Sequence, residues 1–254
     1  MAETGTDAPP PLLSTTAALY LDFDGTLADI ALHPDEVVVS EPLPQLLLAL
    51  RERLAGAVAV VTGRRLAAVD AMIAPARLAG SGLHGAELRA DGDSPAQTSA
   101  DPDGAGPLAR ALRERFADDP RIYVEDKGAA VSLHYRRAPE REQDCREAMR
   151  ALAPPARFDI TAGSRVVEAR PRGADKGAAL AALARRPPFA GRRPVFVGDD
   201  VTDEDGFRAA ERMGGYGVKV GPGPTAARYR IAEVGLVHGW LQESLAALER
   251  ERAT

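Results

Sequence analysis

Two clusters of carboxylates end apolar runs in this chain. The first lies in ALYLDFDGTLADI, Ala18 to Ile30, where Asp22 and Asp24 close an apolar segment. Residues two apart in an extended segment share a side, so these acids lie together. Gly25 permits a tight turn, and Thr26 can cap the next segment. Neighbouring carboxylates repel and need a cation, a shared proton or strong hydrogen-bond donors. Alone, the stretch also fits a plain acidic turn after a strand. The second cluster, VFVGDDVTDEDG from Val195 to Gly206, adds Asp199, Asp200, Asp203, Glu204 and Asp205. A capping box between Thr202 and Asp205 explains two of its residues and leaves the other acids unexplained. Oxygen ligands suit a hard divalent cation, and Mg²⁺ takes few from protein because it keeps waters and binds substrate phosphate. The glycine and glutamate of a calcium loop are missing. The histidines, His33, His84, His134 and His238, have no zinc-like spacing to one another or to Cys145.

A phosphate at such a site requires donors and positive charge. TGR, Thr62 to Arg64, follows the apolar AVAVV and supplies a hydroxyl beside the start of the next helix, whose free N–H groups favour anions. In RPRGADKGAAL, Lys176 falls in the first turn of an expected helix, where its charge opposes the helix dipole. An anion facing it would explain the placement; a solvated lysine is the bland alternative.

The elements that must hold these residues are strands alternating with helices. ALYLDF, AGAVAVV and RRPVFVG read as buried strands, and GYGVKVG as a short edge strand. Leu66, Val69, Met72 and Ile73 repeat at a helical period; DEDGFRAAERM and HGWLQESLAALERER also read as helices. This alternation predicts a parallel sheet covered by helices on both faces. The middle differs. Asp91 to Pro107 is rich in Gly, Pro, Ser and Asp and marks a boundary. Beyond it, RIYVEDKGAAVSLHYR predicts a hairpin turning near Asp126 to Gly128, and FDITAGSRVVEARP a second turning at Ala162 to Ser164. Between them lies a charged helix with a stripe of Cys145, Ala148, Met149 and Leu152. The expected organisation is α/β: a core of residues 16–92 and 171–250 with an inserted α/β module over 93–170.

Composition sets outer limits. The 254 residues are 45 % apolar and 27 % charged, as expected of a globular protein of one or two domains. A net charge of -5 and 5 % aromatic content argue against a nucleic-acid module. One cysteine excludes an internal disulfide framework and a thiolate metal cage. No apolar run reaches the length of a membrane span, and no signal peptide is apparent, so a cytoplasmic setting is expected. Residues 1–15 read as a frayed tail.

Taken in order, LDFDGT, VVTGR, ADKG and FVGDDVTDED resemble the four motifs of the haloacid-dehalogenase-like phosphatases. GLHGAEL, EDKGAAVSLHYR, VVEARPRGADKG and GDDVTDED are further similar to the trehalose-6-phosphate phosphatase family. The resemblance spans residues ~18–245, although Leu88 to Arg121 carries no usable motif. It implies a Rossmann-like parallel core with an α/β cap inserted between the second and third motifs. It also implies that Asp22 is the nucleophile and forms an aspartyl-phosphate. Asp24 then protonates the leaving sugar oxygen and deprotonates the attacking water. Mg²⁺ is held by Asp22, the main-chain carbonyl of Asp24 and Asp199, with Asp203 acting through water and Asp200 as an optional ligand. Thr62 and Lys176 hold the phosphoryl oxygens. The paired acids by themselves leave open which aspartate attacks. Chemistry agrees with the scheme, because a carboxylate accepts a phosphoryl group only when a metal ion and a lysine offset the charge.

Trehalose 6-phosphate presents many hydroxyls, which require fixed polar partners. The cap candidates are Lys127, His134, Glu168 and Arg170; those from the core are Arg64, His84, Glu87 and Glu204. Structural alternatives stand beside them: a Glu168–Arg170 pair along one strand, a satisfied structural His134 and a solvated turn Lys127. The resemblance implies a functional link to a trehalose-phosphate synthase. Competing functions are a phosphatase of another sugar phosphate, such as sucrose 6-phosphate or mannosyl-3-phosphoglycerate, a phosphoglucomutase-like enzyme, and a non-catalytic sugar-phosphate sensor. Intact Asp22, Asp24, Lys176 and Asp199 weigh against the sensor, which has no use for both nucleophile and acid.

Overall fold

The strands form where apolar, β-branched runs can be buried on both faces, as a parallel sheet demands. In the computed structural model, which describes residues 8–98, 101 and 104–253, Ala17–Leu21, Val58–Val61 and Tyr216–Val220 are buried throughout. The chain forms two compact units, one made of residues up to Ala96 together with those from Asp175 onward, the other of Gln97–Ala174.

Within the first unit the sheet order is Tyr229–Ile231, Tyr216–Val220, Arg193–Gly198, Ala17–Leu21, Val58–Val61, Ala79–Gly82 and Glu87–Arg89. All neighbours are parallel except the last pair. The chain proceeds from Ala17–Leu21 to one side and later fills the other. The crevice beyond its carboxyl end is therefore a topological switch point, where open α/β sheets bind ligands. Register brings the functional segments to that end. Leu21 pairs with Val197 and with Val60, so Asp22, Asp199 and Thr62 all emerge there. The architecture is thus a largely parallel α/β core with an additional α/β unit.

That additional unit is an antiparallel sheet ordered Tyr123–Asp126, Val131–His134, Val166–Pro171, Phe158–Gly163. Helices Gly106–Arg115 and Glu142–Leu152 cover one face, with a core that includes Leu112, Val124, Leu133, Cys145, Met149 and Val167. Period-2 alternation turns the polar residues to the opposite face. Register places Glu125 opposite Ser132, Ser132 opposite Glu168 and Asp159 opposite Arg170.

Several sequence expectations need correction. GYGVKVG is an inner strand, flanked by Arg193–Gly198 and by Tyr229–Ile231, whose polar YRI gives little strand signal. The described part of the expected tail is packed against the core. Residues 1–7 lie outside the described residues, but Leu13 is buried and donates its N–H to Ser244 Oγ, while Trp240 Nε1 donates to the Pro11 carbonyl. Leu152 is exposed, because its turn is the last of its helix, so the buried stripe is Cys145, Ala148 and Met149. The second hairpin turns later, at Ser164–Arg165, with Arg165 at φ 58. Helices Pro42–Arg53 and Gly106–Arg115 were not anticipated. In the latter, Leu108, Leu112 and Phe116 repeat every fourth residue just past the glycine- and proline-rich boundary.

Candidate active site

The acidic clusters meet around one lysine. Lys176 opens helix Lys176–Ala184, whose N-cap Asp175 accepts the Ala178 N–H at 2.6 Å. That cap stabilises a helix start which a first-turn lysine disfavours. Lys176 is 2 % exposed, which rules out the solvated alternative. Its Nζ lies 2.7 Å from Asp22 Oδ1 and 2.7 Å from Asp203 Oδ1. Burial alone would pull the ammonium down, but Asp203 and Asp22 outweigh it and hold Lys176 above its ordinary range.

Asp203 is wholly buried and organises the loop. Its Oδ2 accepts the N–H groups of Asp199 at 3.0 Å and Asp200 at 2.9 Å. The capping box is therefore Asp200 with Asp203, not Thr202 with Asp205. The reason is that the helical turn begins at Val201, three residues before helix Glu204–Arg212. Asp22, Asp199 and Asp203 each offer a carboxylate oxygen within 4.8 Å of the others. Burial, then Asp203, raise the Asp22 carboxyl well above its usual range, and Lys176 only partly opposes them. The same first two causes push Asp199 up to about 7. Asp199 Oδ1 is buried with no hydrogen-bond partner among the described residues. An all-oxygen donor set with excess negative charge and an orphaned carboxylate oxygen fits a hard dication such as Mg²⁺.

Gly25 is where the two clusters touch. It sits at φ 78, and a Cβ there would lie 2.2 Å from Asp199 Oδ2. Only glycine provides both the backbone conformation and the space. Two residues past Asp22, the Asp24 carboxylate is held by Arg64 through Nε–Oδ2 and Nη2–Oδ1 contacts, each of 2.7 Å.

Thr62 is buried, and its Oγ1 accepts the Arg64 N–H at 3.1 Å. Its carbonyl accepts the His84 N–H at 3.0 Å. His84 is buried at φ 55 and packs on Gly63, where a Cβ would meet His84 Nε2 at 2.4 Å. Glu87 and Glu204 are already engaged by segments distant in the chain. Glu87 Oε2 accepts the Leu66 N–H at 2.8 Å, at the start of helix Leu66–Met72. Glu204 accepts Thr225 Oγ1–H at 2.7 Å and the Ala226 N–H at 2.8 Å.

In the second unit the polar sheet face forms its own network. Lys127 Nζ lies 2.7 Å from Glu168 Oε1, which also accepts from Ser132 Oγ at 3.0 Å. Lys127 is therefore not a solvated turn residue, and Glu168 pairs with Lys127, not with Arg170. Arg170 Nε and Nη1 are buried with no hydrogen-bond partner among the described residues. His134 Nε2 meets Glu125 Oε2 at 2.9 Å, while its Nδ1 is buried without a partner among the described residues. Burial holds His134 below its ordinary range, against the pull of Glu125.

Sequence reasoning missed Lys219. It lies on the inner strand Tyr216–Val220, buried, and its ammonium donates to the Asp199 and Val220 carbonyls. Burial lowers it, with Asp199 and Asp203 opposing. The available signal was a single cation inside the apolar GVKVG.

The family pattern described as trehalose-phosphatase matches residues 20–234. The chain is 41 % identical over 248 residues to the trehalose-6-phosphate phosphatase of Escherichia coli K12, covering 95 % of this chain and 91 % of that protein. It is 45 % identical over 207 residues to a probable trehalose-phosphate phosphatase of Sinorhizobium fredii, covering 81 % and 78 %. In fold it is similar to the C-terminal domain of the Candida albicans trehalose-6-phosphate phosphatase, with a TM-score of 0.80 at 22 % identity, covering 92 % of this chain and 93 % of that one. Among the described residues, no helix is long and apolar enough to cross a membrane.

Proposed function

The chain belongs to the trehalose-phosphatase family of haloacid-dehalogenase-like hydrolases, and from that premise we propose that it hydrolyses trehalose 6-phosphate to trehalose and phosphate through a phosphoryl-Asp22 intermediate. The observation that carries this reading is the buried Asp22–Lys176–Asp203 cluster, completed by Asp199, at the carboxyl ends of the central strands. Asp22 Oδ1 is already within 2.7 Å of a cation that can stabilise an incoming phosphoryl group. Mg²⁺, held by Asp22, the Asp24 carbonyl and Asp199, with Asp203 through water and Asp200 as an optional ligand, would offset the charge of the transferring group.

An Asp22 oxygen attacks phosphorus, and the bond to the sugar oxygen breaks with that oxygen taking a proton from Asp24. Water then attacks the phosphoryl group, gives its proton to Asp24 and returns Asp22 to its carboxylate. Thr62 and Lys176 hold the non-bridging oxygens.

In this reading the sugar is recognised by Lys127, His134, Glu168 and Arg170 of the cap and by His84 of the core. The buried unpartnered nitrogens of Arg170 and His134 support the cap assignment, because buried polar groups require partners. Glu87 and Glu204 hold neighbouring segments in place, since their carboxylates accept the backbone N–H groups of Leu66 and Ala226. A synthase that forms trehalose 6-phosphate would supply the substrate, and a cytoplasmic setting goes with that role.

The test is phosphate release from a panel of sugar phosphates with and without Mg²⁺. Trehalose 6-phosphate should be the preferred ester, chelation should abolish turnover, and Asp22→Asn should be folded and inactive. Preference for a different ester would overturn the substrate assignment. Near wild-type release by Asp22→Asn would overturn the nucleophile.

A further inference from the structure

Arg64 stands among the residues expected to meet the sugar, but its side chain is directed to another task. Nε and Nη2, one edge of the guanidinium, are committed to Asp24 Oδ2 and Oδ1 at 2.7 Å each. Nη2 also donates to the Pro34 carbonyl at 3.1 Å, and the guanidinium carbon lies 5.8 Å from the centre of the Phe23 ring. The Arg64 backbone N–H is tied to Thr62 Oγ1. The side chain is therefore anchored at its base, along one face and at its tip.

Exposure has the same sense. The Arg64 side chain is 10 % exposed and that of Asp24 is 36 %. The arginine stands on the protein side of the acid and leaves the acid accessible. A parallel two-bond fork fixes the carboxylate plane as well as its position. A lysine at residue 64 could offer charge but not that orientation.

Resting on the phosphatase reading above, we propose that Arg64 is a positioning residue for Asp24 in the hydrolysis of phosphoryl-Asp22, not a ligand of the sugar. In that step the water oxygen bonds to phosphorus. The bond between phosphorus and Asp22 breaks, its electron pair returning to the Asp22 carboxylate, and the water proton passes to an Asp24 oxygen. The proton acceptor must face the attacking water as the bond forms. The Asp24 main chain is held by its bridge to Ala28 and by the Gly25 N–H bond to the Ala28 carbonyl, but those bonds do not set the carboxylate plane, which the Arg64 fork does.

An aryl phosphate separates the two roles. Nitrophenolate leaves without a proton, so the first transfer from 4-nitrophenyl phosphate does not require Asp24, whereas the second does. Arg64→Ala should release a burst of about one nitrophenolate per enzyme and then turn over about 10- to 100-fold more slowly than wild type, within the range that acid–base groups contribute. Phosphoryl-enzyme should accumulate in samples quenched rapidly in acid. A sugar ligand predicts the opposite pattern: unchanged aryl turnover and a raised KM for the sugar phosphate alone.

A double-mutant cycle tests the same point on whichever ester wild type hydrolyses fastest. In the Asp24→Asn background, removing Arg64 should cost less than about threefold, because a positioning residue has nothing left to position. If Arg64→Ala does not fold, Arg64→Lys serves in the same cycle, with a smaller loss in the wild-type background and no further loss beside Asp24→Asn. Losses that multiply across the cycle, or aryl turnover untouched by Arg64→Ala, overturn the proposal. Failure of wild type to prefer trehalose 6-phosphate would overturn the substrate assignment and leave this test standing.

Discussion

Replacing Asp199 by asparagine should make the metal-free protein more stable at pH 8 while removing its response to Mg²⁺. Burial, then Asp203, push the Asp199 carboxyl from its ordinary 3.8 to about 7. Between those values the unfolded chain has lost this proton and the folded protein keeps it. The folded state therefore binds more protons, and stability falls as pH rises through that window. At about 1.4 kcal/mol per tenfold, the gap bounds the cost at roughly 4 kcal/mol by pH 8, and repulsion shared with Asp22 brings the expected value to about 2–4 kcal/mol. Asparagine removes the charge at nearly constant size. Asp199 Oδ1 has no hydrogen-bond partner among the described residues to lose, and Lys219 bonds the Asp199 main chain. At about 2–4 °C per kcal/mol for a chain of this size, Asp199→Asn should melt roughly 4–16 °C above wild type in chelator at pH 8. The difference should close towards pH 4. Saturating Mg²⁺ should narrow or reverse it, because the metal stabilises only a site that binds it. Melting curves followed by circular dichroism at both pH values, with and without Mg²⁺, provide the measurement. A mutant that melts below wild type at pH 8 in chelator, or a difference independent of pH, would refute the reasoning.

Two further substitutions probe geometry and specificity. Gly25→Ala places a Cβ 2.2 Å from Asp199 Oδ2 at a positive φ; it should lower Mg²⁺-dependent turnover by about 10²-fold, as a misplacement of about 1 Å does. Isothermal titration should show weaker Mg²⁺ binding, and unaltered binding would count against the steric argument. Glu168→Ala should reduce kcat/KM for trehalose 6-phosphate about 10- to 100-fold more than for an aryl phosphate, the loss expected for one charged hydrogen bond. It should also lower Tm, because Lys127 loses its 2.7 Å partner; an unchanged ratio of the two kcat/KM values would make Glu168 scaffold.

The chemistry of this protein was legible in its sequence because its signals are local. Asp22 and Asp24 stand two apart at a strand end, and Asp199 to Asp205 is too acidic for capping alone to explain. Thr62 directly follows a strand and precedes a helix, and Lys176 opens a helix after a loop, where spacing along the chain suggests an anion site. The alternation of apolar runs and helical periods was enough for an α/β core, since burial on two faces and burial on one leave different patterns. Helix Gly106–Arg115 escaped because its pattern of Leu108, Leu112 and Phe116 is short and adjoins a stretch that reads as linker.

Which polar residue faces which was decided only by tertiary packing. Glu168 and Arg170 are sequence neighbours that fit a pair, yet Glu168 bonds Lys127, 41 positions away, because the sheet order leaves only Val131–His134 between the strand that Lys127 follows and the strand that carries Glu168. Arg64 has a surface-like composition in TGRR, but parallel pairing of Ala17–Leu21 with Val58–Val61 brings it within reach of Asp24. Lys219 looks like an edge-strand charge until Tyr229–Ile231 pairs beside it and buries its ammonium against the Asp199 carbonyl. Residue type and spacing specify what a side chain can donate, accept or attack. Its partner depends on strand order and register, which are settled by contacts between residues far apart in the chain.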